Sequence, residues 1–138
     1  MIVEIIPNLW MSNINIVKYK HYYKFDYVIN CLKNLHFLEK NNNFKLSTEL
    51  KIDKIYNYLD ELTDYIYKKI NLNKKILIIC EDCTQKSPTI ICTYLIKFGK
   101  ININNSIKYF KTKYENIFLN DIYYNDVLLK FELKFLSM

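Results

Sequence analysis

Two cysteines, Cys80 and Cys83, stand in a C-x-x-C spacing within the stretch ILIICEDCTQKSPTIICTYL, residues 76–95. A thiolate is a nucleophile and a metal ligand, so this spacing is compatible with a redox pair, a zinc site or a single nucleophile. Zinc would need a second closely spaced ligand pair, which the other two cysteines and the two histidines do not form. A lone C-x-x-C is weakly specific, and the flanking sequence has to decide between these chemistries.

The sequence around the two cysteines has the pattern of a strand, a polar loop and a helix. KKILIIC, residues 74–80, is a continuous apolar run typical of a strand buried on both faces. SPTIICTYLIKFG, residues 87–99, predicts a helix, with Pro88 in its first turn and Gly99 at its end. Loop N–H groups and the N-terminus of such a helix converge on one point and attract an anion. The pattern therefore predicts an anion-binding loop.

The remaining segments predict an α/β fold. VEIIPNL and FDYVINCL have the character of short buried strands, and NINIVKYKHYYK between them can carry a helix. HFLEKNNNFKLSTELK, with its low-complexity Asn41–Asn43, is interpreted as a loop. Residues 52–70 have the apolar spacing of an amphipathic helix, and NNSIKYFKTKY and YNDVLLKFELKFL add two more helices. We expect one domain, residues 1–138, with a central, mostly parallel sheet flanked by helices.

Composition narrows the classes of function. The 138 residues are 51% hydrophobic and 16% aromatic, which suits a folded domain with its own core. Without a signal-peptide pattern or a bilayer-length apolar run, we expect an intracellular, cytoplasmic protein with free thiols. The net charge of +6 suits an anionic partner, but the lysines are scattered and make no strong case for nucleic acid. All 20 basic residues are Lys, so no guanidinium fork is present.

Position by position, the loop resembles the signature of cysteine-dependent dual-specificity protein phosphatases. That signature reads His-Cys, five residues with a central Gly, then Arg and Ser, often followed by Pro-Thr. The segments IIPNLWMSN, FDYVINCL, YLDELTDYIYKKI, NNSIKYFKTKY and NDVLLKFE also resemble the strands and helices of the family in order, from residue 2 to residue 136. The resemblance implies a protein-tyrosine-phosphatase-like fold with no cofactor and no metal. Small viral members of the family exist, and the abundance of residues that AT-rich codons encode suits a viral origin. The protein would then be located in an infected host cell or in a virion.

The resemblance also implies a role for individual residues. Cys80 falls on the nucleophile, Lys86 on the arginine that grips the phosphoryl group, and Ser87 on the hydroxyl that hydrogen-bonds the thiolate. Counting back to the family's general acid reaches Glu49, while Asp53 is the only Asp nearby. The residues that would surround the phosphate are Glu81, Asp82, Cys83, Thr84, Gln85 and Lys86.

Four departures from the signature weaken the expected chemistry. Ile79 replaces the His that orders the loop, and Asp82 adds a second negative charge beside the nucleophile. Cys83 replaces the central Gly, where a positive φ would cost about 1–2 kcal/mol, although Cys83 could form a protective disulfide with Cys80. Lys86 keeps the charge of the arginine but loses its bidentate geometry. A lost charged hydrogen bond of roughly 1.5–3 kcal/mol would slow the reaction about 10- to 100-fold or more.

Three hypotheses follow. The preferred one is a pseudophosphatase that keeps the loop and acts by binding a protein or phosphoprotein partner. The second is a slow phosphatase that uses Cys80, Lys86 and Glu49. The third is an interaction protein whose pocket binds no anion. The sequence indicates neither the partner nor the oligomeric state.

Overall fold

The sheet and helices are seen in a computed structural model that describes residues 1–13, 15, 24–31, 41–43, 50–81 and 83–136. The strands in these ranges are β1 (Ile2–Ile6), β2 (Leu9–Asn13), β3 (Tyr27–Asn30), β4 (Asn41–Asn43) and β5 (Ile76–Cys80). The helices are α1 (Ile52–Asn71), α2 (Lys86–Gly99), α3 (Ile103–Lys113) and α4 (Asn125–Leu136). The helix expected between the first strands lies outside the described residues.

The five strands form one sheet in the order β1-β2-β5-β3-β4. β5 runs parallel to both β2 and β3, and β3 runs parallel to β4, while β1 is antiparallel to β2. The expectation of a mostly parallel sheet in an α/β fold is confirmed. Parallel neighbours bring the carboxyl ends of β2, β3 and β5 to the same edge of the sheet, where Cys80 ends β5.

Two sequence interpretations were wrong. VEIIPNL is not one strand, because Pro7 and Asn8 form the turn of a hairpin between β1 and β2. Asn8 has a φ of 73°, and asparagine tolerates this left-handed conformation better than most residues. The low-complexity Asn41–Asn43 is a strand and not a loop, since it pairs with β3. Pairing with an existing strand edge overrides the low β-propensity of asparagine.

β5 is buried on both faces, as its continuous apolar run predicted. All five of its residues are buried. Ile76, Ile78 and Cys80 belong to the larger core cluster, which the helices share. Leu77 and Ile79 instead pack into a smaller cluster on the other face, together with Trp10, Phe25 and Val28.

α2 is the central helix and packs against α1, α3 and α4. Every residue from Ser87 to Lys97 is buried. Within this helix, the Lys97 ammonium donates hydrogen bonds to the carboxylates of Asp60 and Asp64 on α1, at 2.6 and 2.7 Å. These contacts join the C-terminal part of α2 to α1. None of the helices described here is long and apolar enough to cross a bilayer.

Candidate active site

The loop between β5 and α2 borders a cavity of about 280 Å³. Cys80 ends β5 and Lys86 begins α2, and both line this cavity. Among the described residues, the lining consists of Cys31, Cys80, Glu81, Thr84, Gln85, Lys86, Tyr123 and Tyr124. The structure therefore brings the expected nucleophile and the expected phosphate-binding lysine to one cavity.

The first turn of α2 adds positive potential to one end of the cavity. This turn contains no acidic residue, and the side chain of Gln85, the N-cap residue, makes no capping hydrogen bond. The partial positive charge of the helix N-terminus therefore adds to the charge of Lys86 at this end of the cavity. Glu81 also lines the cavity and opposes this positive potential.

Cys80 and Cys83 are in direct contact as free thiols. The Cys80 thiol donates a hydrogen bond to Cys83 Sγ at 2.9 Å, and both side chains are buried. Cys83 has a φ of 63°, a left-handed conformation that favours glycine and that costs other residues about 1–2 kcal/mol. Cys83 stands where the family signature has glycine, and its backbone adopts a conformation that suits glycine.

A third thiol, Cys31, lies on the same edge of the sheet. Asn30 of β3 is in register with Ile79 of β5, and the Cys31 N–H donates to the Ile79 carbonyl at 2.8 Å. Burial raises the pKa of the Cys31 thiol, the nearby Cys80 raises it further, and Lys86 lowers it in part. Cys31 is therefore a neutral thiol at physiological pH.

Ser87 lies in the first turn of α2 and is fully buried. Its hydroxyl has no hydrogen-bond partner among the described residues, so the bond to the Cys80 sulfur that the resemblance implies is not formed here. An unsatisfied buried hydroxyl costs about 1–3 kcal/mol. The Ser87 hydroxyl can therefore still donate a hydrogen bond next to the loop.

The loop is bound to the segment that connects α3 to α4. Gln85 Nε2 donates to the Asp121 carbonyl at 2.6 Å, and Gln85 Oε1 accepts from the Tyr123 N–H at 3.0 Å. The Phe118 N–H donates to the Thr84 carbonyl at 2.8 Å. These three bonds hold the connecting segment beside the cavity.

The sequence interpretation missed three lining residues. Cys31 could have been found, because it directly follows a parallel strand that neighbours β5. Tyr123 and Tyr124 carried no sequence signal, since tertiary packing alone brings them to the loop. Glu49 and Asp82 lie outside the described residues. Among the residues that the structure does describe, no group of three or more His, Cys, Asp or Glu side chains is placed to hold a metal ion.

Comparisons with known proteins agree with this fold. The chain is 26% identical to "Putative tyrosine phosphatase 123R" of Invertebrate iridescent virus 6, over 85% of this chain and 82% of the relative. Its fold is similar to human DUSP28, with a TM-score of 0.82 and 10% identity over 99% of this chain and 95% of the other. It is also similar to the human tyrosine phosphatase-like serine/threonine/tyrosine-interacting protein, with a TM-score of 0.79 and 14% identity over 99% and 98%.

Residues 10–133 match the family described as "Dual specificity phosphatase, catalytic domain". This range contains the five-residue strand β5, the loop with Cys80 and all four helices up to the last turn of α4. The chain therefore belongs to the dual specificity phosphatase catalytic-domain family.

Proposed function

We propose that this single domain is a pseudophosphatase, which binds a phosphorylated segment of a protein partner and hydrolyses it very slowly or not at all. The observation that carries this proposal is the cavity beside Cys80, in which Lys86 supplies the only cation of the described lining. A lysine ammonium attracts a phosphoryl group as a point charge but cannot grip it with two parallel hydrogen bonds. Binding in the ground state therefore survives better than stabilisation of the transition state.

The contact between Cys80 and Cys83 also supports weak catalysis. The Cys80 thiol donates to Cys83 Sγ 2.9 Å away, and it has to lose that proton before its thiolate can attack phosphorus. The Cys83 side chain occupies space next to the nucleophile that a glycine would leave open. Both effects favour a binding protein over a fast enzyme.

One further observation suits a binding role, and two suit an intracellular setting. The human protein of similar fold is named as a tyrosine phosphatase-like interacting protein. Its name supports the proposal that a domain of this fold can act by binding. The four free, buried cysteines suit a reducing intracellular compartment, such as the cytoplasm of an infected cell. The viral relative agrees with that setting.

A slow phosphatase is the second candidate, and the position of Cys80 on the cavity beside Lys86 favours it. In that reaction the Cys80 thiolate attacks phosphorus, the S–P bond forms and the ester P–O bond breaks, and the leaving oxygen takes a proton from an acid. Water then attacks phosphorus and releases the thiolate and phosphate. Glu49 stays our proposed acid.

Two measurements test these candidates. Thermal shift or calorimetric titration with inorganic phosphate measures anion binding, which we expect for the native protein and not for Lys86→Met. Turnover of a small aryl phosphate is compared between the native protein, Cys80→Ser and a thiol control, Cys92→Ala, whose side chain is buried in α2 and does not line the cavity. Substantial turnover that Cys80→Ser abolishes and Cys92→Ala keeps would replace our proposal by the slow phosphatase. If the native protein does not bind phosphate, our proposal would be replaced by the third hypothesis, an interaction protein whose pocket binds no anion.

A further inference from the structure

The turn between α1 and β5 carries four lysines and an exposed leucine, and we call residues 68–75 the lysine turn. Its sequence is KKINLNKK, with one pair of lysines in the last turn of α1 and the other pair directly before β5. Leu72 lies between the two pairs and is 57% exposed. An apolar side chain among lysines is the composition of protein surfaces that bind anionic bilayers.

Backbone hydrogen bonds hold Leu72 in its exposed position. The N–H groups of Leu72 and Lys74 both donate to the Lys69 carbonyl, each at 3.1 Å. Asn73 has a φ of 62°, and its Oδ1 accepts from Asn8 Nδ2 in the hairpin between β1 and β2 at 3.2 Å. The turn is therefore fixed to the sheet, and little conformational entropy is lost when a partner covers Leu72.

Folding brings two more exposed lysines to the same end of the molecule. Lys24 lies two residues before Asp26, whose N–H donates to the carbonyl of the last residue of the lysine turn at 2.9 Å. Lys100 directly follows α2, and the Phe98 ring near the end of α2 stacks on the Tyr67 ring of α1 at 4.1 Å. The tertiary structure thus gathers lysines that are far apart in the sequence.

The positive charge of this end is not cancelled by ion pairs. Across the ranges that the structure describes, each ion pair involves a lysine other than these six. Of the nearby carboxylates, Asp26 and Glu4 already accept backbone hydrogen bonds at 2.8 and 3.0 Å, and Asp64 is bonded to Lys97. Residues 65–80 contain no Asp or Glu. The end that carries the lysine turn is therefore a positively charged surface.

The combination of charge and exposed leucine distinguishes between possible partners. Lysines in the last turn of a helix stabilise the negative end of its dipole, which accounts for Lys68 and Lys69 but not for Lys74 and Lys75 beyond the helix. A nucleic acid backbone would attract the lysines but offers no apolar surface to Leu72. The interface of an anionic bilayer attracts the lysines and also buries the leucine.

From these observations we propose that the lysine turn is a membrane-contact surface that binds bilayers rich in anionic phospholipids. The ammonium groups lie against the lipid headgroups, and Leu72 enters the boundary between the headgroups and the acyl chains. β5 has five residues, so Cys80 at its far end lies about 16 Å from the turn. The bound protein therefore keeps its cavity away from the bilayer. This inference goes beyond the proposed function and does not depend on it.

Sedimentation with lipid vesicles tests this inference. The native protein is mixed with vesicles of phosphatidylcholine alone or of phosphatidylcholine with phosphatidylserine, at low and at high salt. We expect binding to the vesicles that contain phosphatidylserine, and we expect high salt to weaken it, because salt screens exposed charges. Vesicles of phosphatidylcholine alone should bind the protein only weakly.

Two variants separate the contribution of charge from that of the leucine. Each lysine near an anionic surface contributes about fivefold to binding, so changing all four lysines of the turn to Gln should weaken it about 100-fold or more. Leu72→Gln keeps every charge and should weaken binding about 10-fold, because the apolar side chain is lost. These side chains lie at the surface, and urea denaturation checks that both variants keep the native stability.

Two controls connect the result with this surface. The matched control removes the same charge from exposed lysines elsewhere on α1 and α3, by changing to Gln Lys54, Lys108, Lys111 and Lys113. We expect it to weaken vesicle binding much less than the change of the four lysines of the turn. Lys86→Met removes the cation of the cavity and should bind vesicles as the native protein does, so that this inference is tested separately from phosphate binding.

The other outcomes would overturn the inference. If the matched control loses as much binding as the four-lysine variant of the turn, net charge and not this surface attracts the vesicles. If Leu72→Gln binds as the native protein does, the turn does not enter the bilayer. If the native protein ignores anionic vesicles but binds duplex DNA through the same four lysines, the surface is a nucleic-acid site.

Discussion

The Cys80 thiol lies 2.9 Å, sulfur to sulfur, from the Cys83 thiol, and Cys83 occupies the position of the glycine in the family signature. Cys83, which departs from that signature, therefore touches the residue that falls on the nucleophile of the signature. Cys83 has two physical effects. Its backbone is strained, and its side chain places a second thiol beside Cys80. Each effect can be measured separately.

The strained backbone at Cys83 predicts that two variants of this residue differ in stability. Cys83→Gly and Cys83→Ala both remove the thiol, but only glycine adopts a φ of 63° without steric cost. We expect Cys83→Gly to be more stable than Cys83→Ala by about 1 kcal/mol in free energy of unfolding, measured by urea denaturation. Equal stability of the two variants would show that the loop changes conformation when the thiol is removed.

The contact between the Cys80 and Cys83 thiols predicts that they form a reversible disulfide under mild oxidation. Hydrogen peroxide oxidises the Cys80 sulfur to a sulfenic acid, and the Cys83 thiol then attacks that sulfur, so that the S–S bond forms and water leaves. Intact-mass analysis should show the loss of two hydrogens, reversed by dithiothreitol, with loss of phosphate binding.

Two variants control this prediction. Cys92→Ala should still form the disulfide, because Cys92 is buried within α2, where burial raises its thiol pKa to about 12. Cys83→Ser should accumulate sulfenic acid or higher oxides on Cys80. Formation of a disulfide in Cys83→Ser would assign the resolving thiol to Cys31, the other thiol of the cavity lining.

Lys86→Arg should strengthen anion binding without restoring catalysis. A guanidinium adds a second parallel hydrogen bond to the phosphoryl oxygens, so we expect phosphate affinity to rise about 3- to 30-fold. Turnover of an aryl phosphate should stay far below the rates of active phosphatases, because Ile79, Asp82 and Cys83 remain. Titration and steady-state assay of the same protein sample measure both effects. Turnover at ordinary phosphatase rates would mean that Lys86 is the only departure that matters.

The ion pairs of Lys97 should contribute to stability in a way that depends on pH. Burial alone lowers the pKa of Lys97, but the hydrogen bonds and charges of Asp60 and Asp64 outweigh it and raise the pKa above its ordinary value. A raised pKa in the folded state means that this stabilisation is present at neutral pH and is lost as the pH rises through that pKa. Lys97→Met should therefore unfold more easily at pH 7, by about 1–3 kcal/mol after allowance for the exposure of the two carboxylates.

The comparison with a surface lysine tests the same claim. Lys130 pairs with the exposed Asp53, so Lys130→Met should cost much less stability than Lys97→Met. Urea denaturation of both variants and the native protein at neutral and alkaline pH gives the two differences. A difference for Lys97→Met that does not shrink at alkaline pH would attribute its effect to packing alone.

Much of the fold followed from local patterns. The uninterrupted apolar run of β5 and the 3-and-4 spacing of α1 are direct consequences of burial, and both elements lie where these patterns predicted them. The hairpin at Pro7 was missed because apolar residues, Ile6 and Leu9, stand on both sides of its two-residue turn, so that periodicity does not separate the strands. The strand at Asn41–Asn43 was missed because its pairing with β3, and not its composition, makes it a strand.

The sequence by itself determined the chemistry that is available at the site. It supplied a cysteine and a lysine at the ends of one loop and no arginine anywhere, since residue types do not depend on folding. Only the tertiary structure decided which groups surround that loop. Cys31 arrives by strand pairing, and Tyr123 arrives by two hydrogen bonds of Gln85 that span more than 30 residues of chain. Such contacts join distant segments, and no local spacing encodes them.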